Sequence, residues 1–342
     1  MNISILKRKA YRLTIAIILF LMVLSVGSPG CSRKESEKYT GPVEKVALAA
    51  YAGSYGFLPF IAQEQGYFAA NGLEVTVNEY DFGLKAADAL VAGNADIATA
   101  ADFVLTSYSF DHGDLRALGT IATSTTDEIV FRKDRGIEKP IDLKGKRVGV
   151  PAKTKAEYFL ARFLTFNGVA FRDIHVAYLE PSQIVEAISN GGIDAASVWG
   201  PFVQKIRASL GANAASWPAQ SDQAFYYLLL GREGWVRKHP EAIKRFLKAM
   251  MQAEEFTGKY PAEARKFVAR RFKYDMAFVQ SIWQKNNFTV ELPQALLLQM
   301  EDGARWRIKN RLTRKTKVPN YLNFIYIDGL KAVKPEAVTI IR

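Results

Sequence analysis

The chain has 342 residues, 49% hydrophobic and 23% charged, with 46 Lys plus Arg against 34 Asp plus Glu and a formal charge of +12. That apolar and aromatic content excludes a disordered chain, and the length points to about two domains. The single Cys excludes an intrachain disulfide and a cysteine zinc cluster, and three His leave little for any other metal site.

The charge is unevenly placed. Lys7, Arg8, Lys9 and Arg12 precede an uncharged apolar run from Leu13 to Val26, followed by Gly27-Ser-Pro-Gly30 and Cys31. The run is too short for a membrane span, which needs about 20 residues, and residues 1–30 read as an export signal. Cys31 directly after small residues resembles a bacterial lipoprotein cleavage site, at which Cys31 would become the lipid-bearing N-terminus. The leader carries +4 and residues 305–342 carry +8, so residues 31–304 sum to zero. A nucleic-acid binder spreads basic residues along its binding face, and this distribution argues against one.

Residues 31–43 read as a polar tether. Val46 to Ala50 reads as a buried strand, Tyr51 to Gly56 as a turn and Phe57 to Gln65 as a helix. Strand (Val75, Val77), helix (Leu84 to Ala92, ended by Gly93) and strand (Asp96 to Ala100) follow. Alternating strands and helices predict a parallel α/β sheet. The pattern returns a hundred residues later. Val148 to Val150 is a strand, Pro151 to Thr154 a turn and Lys155 to Phe166 a helix, with Gly168 placed like Gly66. Ala89-Leu-Val-Ala-Gly-Asn-Ala-Asp-Ile-Ala98 matches Ala187-Ile-Ser-Asn-Gly-Gly-Ile-Asp-Ala-Ala196 in its Ala, Gly and Asp positions. Asp96 and Asp194 are expected to bond turn backbone. Two similar α/β lobes result. From Pro240 onward the pattern is helical, with Ile243, Phe246, Leu247, Met250 and Met251 on one face. Residues 262–272, 275–285 and 292–308 are further packing helices, and residues 319–330 pack onto the body.

No Gly-x-Ser-x-Gly, His-Glu-x-x-His, Walker or Gly-x-Gly-x-x-Gly pattern is present, and His112, His175 and His239 have no partner spacing suited to a base. No catalytic residue, cofactor site or metal site is expected. A cleft between two lobes is the better prospect, with ligand contacts at the carboxyl ends of strands. In the first lobe these are Tyr51, Gly53, Ser54 and Tyr55; in the second, Thr154 and Lys155, beside Lys153. Ser54 and Thr154 are read as N-caps whose helix starts would face an anion. Asp102 and Asp127 are candidates to receive a cationic group, and Trp199, at a strand end, to stack on a small solute.

The ordered set Tyr51-x-Gly53, Pro59, Gly66-Tyr-Phe68, Asn71-Gly-Leu-Glu-Val75, Gly93-x-x-Asp96-Ile-Ala98, Asp142-Leu-Lys-Gly-Lys-x-Val-Gly149 and Asp194-Ala195 to Trp199-Gly-Pro201 resembles a family. It is the solute-binding proteins of ABC importers in the nitrate, sulfonate, taurine and thiamine-precursor group, to which fungal pyrimidine synthases are related. The resemblance covers residues 44–342. It implies a type II periplasmic-binding-protein fold with two lobes, two hinge crossovers near residues 127–130 and 221–225, and C-terminal packing helices. Lobe I would hold residues 44–127 and 226–342, and lobe II residues 128–225. It further implies a monomeric, exported, lipid-anchored protein that captures a small organic solute and delivers it to a permease with its ATPase. A sulfonate or taurine-like solute is favoured, with nitrate or a pyrimidine as alternatives. A solute-sensing lipoprotein is a rival role. The fungal enzymes' cofactor-bearing Lys and reacting His have no match here, so an enzyme is not expected.

Overall fold

The computed structural model describes residues 39–221 and 223–341; the leader, Cys31 and tether residues up to 38 lie outside the described residues. The first half runs β1 (Glu44–Tyr51), α1 (Leu58–Glu64), α2 (Tyr67–Ala70), β2 (Leu73–Tyr80), α3 (Gly83–Val91), β3 (Ile97–Ala101), α4 (Asp102–Tyr108) and β4 (Leu115–Ser124). The chain then builds β5 (Asp127–Arg132), β6 (Arg147–Val150), α5 (Lys155–Phe166), β7 (His175–Tyr178), α6 (Pro181–Ser189), β8 (Ala195–Trp199), α7 (Gly200–Leu210) and β9 (Ala214–Pro218). It ends with β10 (Phe225–Arg232), α8 (Glu233–Lys238), α9 (Pro240–Lys259), α10 (Pro261–Phe272), α11 (Met276–Trp283), β11 (Asn286–Asn287), α12 (Gln294–Lys309) and α13 (Ile327–Val333).

Among the described residues there is a six-stranded sheet, β11-β4-β10-β3-β1-β2, and a five-stranded sheet, β7-β6-β8-β5-β9. β1 runs parallel to β2 and β3, and β6 runs parallel to β7 and β8. β10 is antiparallel to β3 and β4, and β5 is antiparallel to β8 and β9. This is the two-lobed α/β architecture with the connectivity of a type II periplasmic-binding-protein fold. The buried runs explain the parallel strands: all five residues of β3 and all five of β8 are buried, as strands covered on both faces must be.

The repeat has a common physical purpose in the two lobes. Gly93 and Gly191 take φ of 81° and 79° after their helices, a left-handed conformation that favours glycine. Each returning chain is then clasped to the central parallel strand beside it, β1 in the first lobe and β6 in the second. Asp96 Oδ2 accepts from Ala47 N at 2.8 Å while Asp96 N donates to Ala47 O at 2.9 Å. Asp194 Oδ2 accepts from Arg147 N at 2.9 Å while Asp194 N donates to Arg147 O at 2.8 Å. The aspartates therefore bond neighbouring strand backbone, not the turn backbone expected from sequence, because the turn delivers them beside an unpaired strand N–H.

The chain leaves the first sheet after Ser124 and enters the second at Asp127, so Asp127 already opens β5, opposite Trp199. The first crossing thus precedes residues 127–130; the second spans the stretch between Pro218 and Phe225. Gln220 joins the two crossings. Its Oε1 accepts from Asp127 N at 2.8 Å, and its Nε2 donates to Ser124 O and Gln223 O, each at 3.0 Å.

The C-terminal helices cover the first sheet. Ile243, Phe246, Leu247 and Met250 of α9 are buried, with Phe246 5.1 Å from the Phe68 ring, whereas Met251 is half-buried. α12 lies against α4, where a Cβ on Gly303 would stand 3.0 Å from the Phe103 ring. Residues 319–330 dock as expected: Tyr326 N donates to Ala117 O at 2.9 Å, and Tyr321, Phe324, Ile325, Ile327 and Leu330 are buried.

Candidate functional site

The parallel strands of both sheets end at one place. β1 ends at Tyr51 and β3 at Ala101; β6 ends at Val150 and β8 at Trp199, and the antiparallel β5 and β10 begin there with Asp127 and Phe225. The side chains that meet there come from both lobes. Trp199 Nε1 donates to Tyr51 Oη at 3.1 Å. Tyr51 lies 4.9 Å from Tyr55, and Tyr55 lies 4.8 Å from Phe225 and 4.7 Å from Tyr227, ring centre to ring centre. Thr99 holds this cluster in place: its hydroxyl oxygen accepts from Tyr51 N at 2.9 Å and from Tyr227 Oη at 2.8 Å.

At the centre stands an ion pair. Lys155 Nζ donates to both oxygens of Asp127, at 2.6 Å to Oδ1, and the two side chains are 2% and 0% exposed. Burial alone pushes the Lys155 ammonium down and the Asp127 carboxyl up, and each partner favours the charged form of the other. The ammonium is ringed by Phe225, Trp199 and Tyr55, at 4.3, 4.6 and 5.1 Å from their ring centres. Asp102 lies in the same cluster. Its carboxylate accepts from Phe103 N at 2.7 Å, from Tyr226 N at 3.4 Å and from Gln299 Nε2. Burial outweighs these donors and lifts the Asp102 carboxyl to about 7. The Tyr51 phenol rises to about 12 for the same reason.

The sequence-predicted site residues thus converge, but two of them act differently from expectation. Ser54 does not cap α1. That helix starts from Phe57, whose ring is packed against Phe272, Trp283 and Phe288. Ser54 Oγ is buried without a hydrogen-bond partner and meets Gly200 of the other lobe; a Cβ there would come within 2.4 Å of it. Thr154 does occupy the cap position of α5, but its hydroxyl donates to Pro151 O at 2.8 Å rather than accepting from the helix. The cradle of two hydroxyl-capped helix starts is replaced by the Lys155–Asp127 pair. Gly53 has a local reason: the Tyr51 ring folds back over it, leaving no room for a Cβ.

Outside this packed centre a groove of about 630 Å³ opens between the lobes, within the range of small-molecule sites. Tyr51, Phe82, Tyr274 and Phe278 line it on one side, with Pro201, Phe202, Lys205 and the start of α6 (Glu180, Pro181, Ser182) on the other. An inner pocket bounded by Tyr55, Phe82, Thr154, Lys155 and Trp199 holds only about 10 Å³ of free space, roughly one water. Phe82 borders both spaces.

The family described as "NMT1/THI5 like" matches residues 56–264, well over half of the chain. The chain belongs to the NMT1/THI5-like family. Among its relatives is a Brucella abortus (strain 2308) protein named as a binding protein, 28% identical over 246 residues, which are 70% of this chain and 74% of that one. The taurine-binding periplasmic protein of Escherichia coli K12 is 26% identical over 202 residues, 57% and 61% of the two chains. A 4-amino-5-hydroxymethyl-2-methylpyrimidine phosphate synthase of Uromyces fabae is 21% identical over 220 residues, 60% and 64% of the two chains. The alkanesulfonate-binding protein of Xanthomonas axonopodis pv. citri, solved bound to MOPS, superposes with a TM-score of 0.73 at 18% identity, over 84% of this chain and 99% of that one. The desulfurization enzyme DSZB shares the fold with a TM-score of 0.62 at 14% identity, over 86% and 99%.

In this NMT1/THI5-like chain, sequence reasoning missed Phe82, Phe225, Tyr274, Gln220 and Gln299. Phe225 was legible in principle, since it begins the strand that re-enters the first sheet. The others reach the site across gaps in sequence that no periodicity reports. Among the described residues no group of three or more His, Cys, Asp or Glu is placed to hold a metal. His239 pairs with Glu44 at the amino end of β1, the end opposite the cleft.

Proposed function

We propose that this protein is an extracytoplasmic solute-binding component of an ABC importer that closes its two lobes on a small organic solute, with sulfonates and taurine-like compounds favoured. Residues 1–30 would direct export, Cys31 would carry the lipid anchor, and a permease with its ATPase would receive the solute from the monomeric protein. The observation that carries this reading is the buried charged and aromatic cluster to which both lobes contribute, beside a groove of about 630 Å³. The binding proteins among its relatives support it, as does the lack of a sequence pattern for a nucleophile or a general base. The aromatic walls of the groove favour a pyrimidine as the second reading. Thermal-shift and calorimetric titration of the mature chain with taurine, alkanesulfonates, nitrate and aminopyrimidines tests both. Stabilisation by a sulfonate or taurine supports the first reading, and stabilisation by a pyrimidine alone supports the second. No stabilisation by any of them overturns both.

A further inference from the structure

The surroundings of the Lys155 ammonium are those of a bound cationic ligand. Three aromatic rings face it within 5.1 Å, and one carboxylate receives it through both oxygens. Such a cage attracts an ammonium through the ring quadrupoles and the carboxylate together. The ion pair itself lies within the second lobe, but the aromatic cage around its ammonium does not. Asp127, Lys155 and Trp199 belong to the second sheet and its helices, whereas Tyr55 follows β1 and Phe225 starts β10 of the first. The cage is whole only where the lobes meet. Lys155 is the first residue of α5, its ammonium carried on a four-carbon stem, and the inner pocket it borders shares Phe82 with the larger groove.

We propose that Asp127, Tyr55, Trp199 and Phe225 form an ammonium subsite for which Lys155 is a tethered competitor. The solute it takes is a zwitterion: its ammonium displaces that of Lys155, and its acid group pairs with the displaced lysine. This deepens the solute-binding reading and rests on it. Charge balance supports the zwitterion. Exchange of one ammonium for another leaves Asp127 paired, and the solute's own anion then pairs Lys155, so no buried charge is left alone. A simple anion instead enters a cluster that already holds Asp127 and Asp102 and whose lysine is already paired.

Calorimetry on the mature chain separates these cases, with taurine compared to isethionate, which carries a hydroxyl in place of the ammonium. The wild type is expected to bind taurine at least tenfold more tightly than isethionate, and Asp127→Asn to lose that preference. Lys155→Met, freed of its competitor, is expected to bind propylammonium at least tenfold more tightly than the wild type does. Equal binding of taurine and isethionate by the wild type, or no gain of propylammonium binding in a folded Lys155→Met, overturns the proposal. If Lys155→Met does not fold, the taurine-to-isethionate ratio in the wild type and in Asp127→Asn decides alone. If neither sulfonate binds the wild type while propylammonium binds Lys155→Met, the ammonium subsite stands and the sulfonate reading falls.

Discussion

Ser54 and Gly200 meet so closely across the cleft that a single methyl group should hold the lobes apart. A Cβ on Gly200 would fall 2.4 Å from Ser54 Oγ and 2.7 Å from Ser54 Cβ, and Gly200 has a φ of 30° that further disfavours a side chain. Gly200→Ala is expected to weaken solute binding roughly tenfold, about 1.4 kcal/mol, and Ser54→Gly in the same chain to recover part of it, as read by calorimetry. Restoration fails if the φ strain alone is responsible. Asp102 makes a second prediction at this scale. Its folded carboxyl is raised to about 7 by burial, from an ordinary value near 4. The protonated form is therefore the one the fold favours. Its contribution to stability is fully present below about pH 4 and is lost as the pH rises through about 7. Between those values the urea midpoint of the wild type should fall relative to that of Asp102→Asn. Parallel curves would show that Asp102 ionises in the fold as freely as in the unfolded chain.

At the scale of elements, the two aspartate clasps share one geometry, and cutting either should cost stability. Asp96→Ala leaves Ala47 N without its side-chain acceptor, and Asp194→Ala does the same to Arg147 N. Each is expected to lower unfolding free energy by about 1–3 kcal/mol in denaturant titration, the larger loss falling on Asp96 because Ala47 is deeper than Arg147. These clasps also mark what could be read without coordinates. The helix-Gly-turn-Asp pattern occurs twice at matching positions, so the lobes and most elements were legible; α5 begins and ends at the residues the pattern predicted, Lys155 and Phe166. The bonding partner of each aspartate was not, because a partner on another strand leaves no periodic trace. Ser54 failed for a related reason. A hydroxyl shortly before a helix is a reasonable cap, but the packing of Phe57 against Phe272 and Trp283 decides where that helix starts. Gln220 and Gln299 were silent as well, since each is a surface-type residue drawn inward by groups 93 to 197 positions away.

Over the whole molecule, the +8 of residues 305–342 is not all surface charge. Arg307 is 4% exposed and lies 3.6 Å from Glu157 of the second lobe, while the neighbouring Trp306 ring packs 5.7 Å from Tyr158. Helix α12 thereby ties the lobes together on the side of Asp102. Arg307→Met should strand Glu157 without its cation and weaken solute binding by loosening the paired lobes. By contrast Arg311, Arg314 and Lys315 are exposed. Under the proposed transport role, reversing all three charges is expected to leave solute affinity within twofold and to lower transport in cells, as exposed charges that meet a permease or anionic headgroups would. Equal transport would leave that surface as solvated exterior.

The hydrogen bond from Trp199 Nε1 to Tyr51 Oη spans the cleft, and both side chains are buried. Parting the lobes replaces a phenol oxygen by water at the indole nitrogen and moves the ring from an apolar to an aqueous surrounding. The fluorescence of this one indole should therefore shift to the red when the cleft opens and return to the blue when it closes. Read in a chain whose other tryptophans are changed to phenylalanine, it would report opening and closing directly, with no attached dye.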